Sequence, residues 1–93
     1  MLKLIIDLEV EVMLEKTYLF NAEDIEDSLI CKTLDDVYDA LLEKGYNPIN
    51  QIVGYLISGD PGYISSYRDA RSKITEFDRT KLLMTVLKGY LER

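Results

Sequence analysis

The sequence predicts an all-α fold of four to five short helices, on three observations. Apolar residues from Leu34 onward recur at spacings of three, four, seven and eight, the signature of one helical face. Asn, Pro and Gly stand where those faces should start and stop. Only one segment alternates like a strand, and a lone strand leaves its backbone groups without a ladder.

That segment is residues 2–12, with Leu2, Leu4, Ile6, Leu8, Val10 and Val12 on one side and Lys3, Asp7, Glu9 and Glu11 on the other. The run Leu8-Glu9-Val10-Glu11-Val12 before Met13 reads as a purine-rich ribosome-binding site translated from a misplaced start, since Glu-Val codons can be GAG-GTN. The competing reading is a real extension that pairs between subunits. Beyond it the period is lost, and Glu23-Asp24-Ile25-Glu26-Asp27 packs four carboxylates into five residues, a composition that self-repels and buries little. Residues 1–32 are therefore expected to be a flexible acidic arm and residues 33–93 a helical domain.

Thr33, with Asp36 three residues on, is a candidate helix start. Leu34, Val37, Tyr38, Leu41 and Leu42 share the first face, and Gly45 supplies a left-handed stop. Asn47 caps the next helix and Pro48 fits its first position, where no N–H is needed. Ile49, Ile52, Val53, Leu56 and Ile57 form its face, and Gly59 ends it. A weaker helical stretch starts at Tyr63 and Ile64, with Tyr67, Ala70, Ile74 and Phe77 as its buried face. Asp78 or Thr80 caps the last helix, whose face is Leu82, Leu83, Val86, Leu87 and Tyr90.

Size and charge exclude several function classes. A chain of 93 residues makes one domain that buries only about 60% of its unfolded surface, and a helical core of about 60 residues needs a staple or a partner subunit. One cysteine cannot form an internal disulfide, so a homodimer is expected. No apolar run approaches the roughly 18 residues of a spanning helix, and no basic-then-apolar leader opens the chain, so cytoplasm without membrane insertion is the expectation. The net charge of -6 disfavours nonspecific nucleic-acid binding. Residues 13–43 carry -7 and residues 68–81 carry +2. These stretches either attract each other or remain separate solvated faces.

The candidate sites are few. The chain has no histidine, which removes the commonest general base and metal ligand, so no enzymatic activity, metal or cofactor is expected. Cys31 has only Lys32 beside it to stabilise a thiolate. The spacing from Gly54 to Gly59 imitates half of a phosphate loop, but Asp60-Pro61 replaces the Lys-Ser/Thr that such a loop requires. Gly59 reads as a helix stop and Gly54 as a close-packing position. Asp35, Asp36 and Asp39 suit the start of a helix better than a metal. The tyrosines suit a core or interface better than base stacking, because no basic stripe accompanies them. The alternative function is a helix-turn-helix-like nucleic-acid-binding regulator built on the helices flanking Gly45, but residues 47–58 contain no Lys or Arg.

The run Tyr46-Asn47-Pro48-Ile49-Asn50-Gln51-Ile52-Val53-Gly54-Tyr55-Leu56-Ile57-Ser58-Gly59-Asp60-Pro61, with Val37-Tyr38-Asp39-Ala40-Leu41 and Glu43-Lys44-Gly45 upstream, closely resembles the IreB family of small cytosolic bacterial proteins phosphorylated by a membrane Ser/Thr kinase. The resemblance covers roughly Lys16 to Leu91. It implies a non-enzymatic regulatory protein of a cell-envelope stress or antibiotic-resistance pathway, a homodimer, a Ser/Thr kinase with a cognate phosphatase, and a downstream protein target it does not name. It implies Thr17, in Leu14-Glu15-Lys16-Thr17-Tyr18-Leu19-Phe20, as the phosphoacceptor. Some family members carry a second acceptor upstream, whereas this chain has no Thr or Ser before Thr17. Phosphate adds about -1.5 to -2 charges, and Arg68, Arg71, Lys73 and Arg79 are the candidate docking residues.

Overall fold

A computed structural model describes residues 22–92, with side chains from Asp24 onward. Within them the all-α expectation is borne out: four α-helices and two 3₁₀ turns, with no strand. The helices are α1 (Ala22–Glu43), α2 (Pro48–Ser58), α3 (Ala70–Ile74) and α4 (Arg79–Leu91). The alternating residues 2–12 and Thr17 lie outside the described residues.

α1 is the spine against which the other helices pack. Ile30, Val37, Ala40 and Leu41 lie along one of its faces and are fully buried, meeting Tyr55 of α2, Ile64, Ala70 and Ile74 of and before α3, and Leu82 of α4. Removing one such aliphatic side chain from water contributes about 1.5–3 kcal/mol. α1 ends as its sequence predicts. Gly45 takes φ +90, its N–H bonds the Leu42 carbonyl at 3.0 Å, and the Tyr46 N–H bonds the Leu41 carbonyl at 3.0 Å, closing a Schellman turn.

The local signals of α2 hold as well. The Asn47 side chain accepts the Asn50 N–H at 3.1 Å, Pro48 occupies the first turn, and Gly59 stops the helix at φ +76. Gly54 has no room for a methyl group: a Cβ there would stand 2.5 Å from the Tyr63 ring. The packing role expected of Gly54 is thus filled by a tyrosine from the following 3₁₀ turn (Pro61–Tyr63) rather than by another helix.

Two expectations need correction. Helix begins by Ala22, not Thr33, so residues 22–32 of the expected mobile arm belong to α1. The physical reason is tertiary: Asp27, inside the self-repelling acidic run, is neutralised by lysines of α4. The stretch from Tyr63 is not one helix. It breaks into a second 3₁₀ turn (Tyr67–Asp69) and the single turn α3, because Arg68 and Asp69 both adopt positive φ, 54 and 61, and the Ser65 hydroxyl takes the Tyr67 N–H at 3.0 Å. The face itself survives, with Ala70 and Ile74 buried and Tyr67 and Phe77 packed against the core. Among the described residues, much of the apolar faces of α2 and α4 is uncovered: Ile57 is 79% exposed, Ile49 58% and Leu87 54%.

Candidate functional site

Two features flank the α1–α4 contact. The first is a charge cluster. Asp27 Oδ1 accepts the Thr85 hydroxyl at 2.8 Å and lies 3.3 Å from Lys81 Nζ, while Oδ2 accepts Lys88 Nζ at 2.8 Å. Hydrogen bonds from Lys88 and then Thr85 overcome partial burial and, with Lys81, hold the Asp27 carboxyl down at about 2. Thr85 is 5% exposed, and no buried side-chain polar atom among the described residues lacks a hydrogen bond.

The second feature is an apolar groove of about 410 Å³ with α1 as floor and α2 and α4 as walls. Leu34 and Tyr38 come from α1, Ile52 and Val53 from α2, and Leu83 and Val86 from α4. Asp35 is the one charged residue of its lining. The groove continues onto surface that nothing in the chain's described part covers, including Leu42, Ile57 and Leu87.

Each of the four candidate docking residues has an internal contact. Arg68 donates to Glu43 at 3.1 Å, Arg71 Nε to the Ile64 carbonyl at 2.8 Å, Lys73 lies 3.6 Å from Asp36, and Arg79 donates to the Leu56 carbonyl at 3.0 Å. Arg79 serves α2: that helix has no basic residue in its last turn, and Arg79 places a cation on one of its terminal carbonyls. Around Arg68, Lys44 Nζ sits 5.1 Å from the Tyr67 ring centroid, and burial together with the Glu43 carboxylate raises the Tyr67 hydroxyl above its ordinary value. Burial acts to raise Asp36, but Lys32 and Lys73 outweigh it and hold the carboxyl low. The acidic and basic stretches therefore meet, through Asp36 with Lys73 and Glu43 with Arg68.

Lys81, Thr85 and Lys88 were missed in the sequence as a group, although their spacing of i, i+4, i+7 marks one stripe of α4. Cys31 is exposed, and no group of three His, Cys, Asp or Glu among the described residues is arranged to hold a metal. No helix among them is long and apolar enough to cross a membrane. Nothing favours the nucleic-acid reading, since α2 carries no cation.

A family model described as "IreB regulatory phosphoprotein" matches residues 15–92, most of the chain. The chain belongs to the IreB family. Its class is thus a regulatory phosphoprotein, and the resemblance seen in the α1–α2 sequence is confirmed over both helices, the 3₁₀ turns and α4.

Proposed function

We propose that this IreB protein is a non-enzymatic cytoplasmic regulator, switched by a Ser/Thr kinase and its cognate phosphatase at Thr17, in a pathway responding to envelope stress or antibiotics. The observation that carries the reading is the match of the regulatory phosphoprotein family across residues 15–92, a span that contains Thr17. The protein acts by contact, and the groove between α1, α2 and α4 is its contact face.

A second copy of the chain is the first occupant of that face. Only nine apolar residues are buried among the described residues, few for a domain that must stand alone, while Ile49, Val53 and Ile57 of α2 and Leu83, Val86 and Leu87 of α4 stand exposed among those residues. Joining two such faces about a twofold axis buries both stripes at once. The downstream target then binds the dimer.

Intact and fragment masses of the protein from its own cell, with and without envelope stress, test the switch. Phosphate on Thr17 that changes with stress is the expected result. An unmodified Thr17 under both conditions overturns it.

A further inference from the structure

The Asp27 cluster is a ready anion site near the N-terminal end of α1. Lys81, Thr85 and Lys88 project three donors from one stripe of α4, and all three converge on a single carboxylate. The site is partly sheltered, with the Lys81 side chain 15% and the Asp27 side chain 20% exposed. Two ammonium groups and a hydroxyl around one anion also suit the oxygens of a phosphate, whose charge-assisted hydrogen bonds are stronger than neutral ones. The same lysine and threonine contacts hold the Asp27 carboxyl well below the usual carboxylate range, as donors gathered around an anion should.

Chain length decides which basic groups Thr17 can reach. Four residues lie between it and Ala22, so the five Cα–Cα steps span at most about 18 Å when extended. Along α1, Asp27 lies about 7.5 Å from Ala22, whereas Asp36, the partner of Lys73, lies about 21 Å away and Glu43, the partner of Arg68, about 31 Å away. A phosphate on Thr17 thus reaches Lys81 and Lys88 with slack. It reaches Lys73 only with every residue stretched, and it falls short of Arg68 in its own chain.

We propose that the Lys81, Thr85 and Lys88 stripe of α4 receives the phosphate of phosphorylated Thr17, in competition with Asp27. The inference rests on Thr17 as phosphoacceptor and adds the receiver and the consequence. Asp27 ties α1 to α4, and Leu83 and Val86, which lie between the same donors in sequence, form the α4 wall of the groove. Exchanging Asp27 for phosphate loosens α1 from α4 at that wall, so the modification acts on the contact face without touching it.

The test uses full-length protein with phosphothreonine built in at position 17 during synthesis, so no cellular kinase is needed. The readout is the second phosphate pKa, followed by ³¹P NMR against pH. An uncontacted phosphate titrates near 6. The folded protein is expected to titrate roughly one unit lower. Lys81→Gln with Lys88→Gln restores the ordinary value and Arg68→Gln leaves it depressed. Asp27→Asn, which removes the competitor, deepens the depression and supplies a test should the double lysine variant fail to fold. An unshifted titration in the parent protein, no response to Asp27→Asn, or restoration by Arg68→Gln overturns the proposal. Thr17 unmodified in cells would sink the proposed switch while leaving this docking result intact; phosphate found in cells with an unshifted titration would sink the docking alone.

Discussion

The inward face of α1 and the outward faces of α2 and α4 carry similar side chains and meet opposite fates. Ile30, Val37 and Leu41 are wholly enclosed, while Val53, Leu83 and Leu87 stand about half exposed although they repeat at the same helical spacing. The difference teaches that one side of this fold is complete within the described residues, while those residues leave the other side open. The charge cluster belongs to the complete side, since every donor of the stripe finds Asp27.

The comparison is broken most severely from within. Leu41→Ala is expected to destabilise the fold by about 2–5 kcal/mol, measured by chemical denaturation, because the cavity it leaves is enclosed. Ile57→Ala, 79% exposed, is expected to stay within about 0.5 kcal/mol in the monomer. Equal losses at the two sites would erase the distinction between the faces.

A smaller effect comes from pH. The Asp27 carboxyl sits at about 2 in the fold against an ordinary 3.8, so its anion stabilises the protein fully above about pH 4 and that contribution disappears as pH falls from about 4 towards 2. Asp27→Asn should lower stability at neutral pH and flatten this limb of the acid unfolding curve. An acid limb unchanged by the substitution would remove the cluster from the complete side. Smallest and most local, Asn47→Ala removes the cap on the Asn50 N–H and should cost about 1 kcal/mol without altering association. A change in association would tie the start of α2 to the open face.

What could be read in the sequence divides along the same line. Asn47, Pro48, Gly45 and Gly59 act through neighbours within a few residues, and each stands where its chemistry predicts. The start of α1 was not legible, because the acidic run is neutralised by Lys88, 61 residues away. The interruption before α3 was hidden for another reason: Arg68 and Asp69 take left-handed backbone angles that usually announce themselves with glycine. Periodicity also found the faces of α2 and α4 without saying what covers them. Of the candidate site, the lysine stripe was visible as a spacing, but its carboxylate partner was not.

The central claim, that the open face is closed by a second copy, is tested most directly by sedimentation equilibrium of the parent chain and Val53→Asp. The account predicts a parent species of twice 10.7 kDa at micromolar concentration and a Val53→Asp species of 10.7 kDa with unchanged helical circular dichroism. A parent chain that stays monomeric, or a Val53→Asp dimer of undiminished strength, would contradict it.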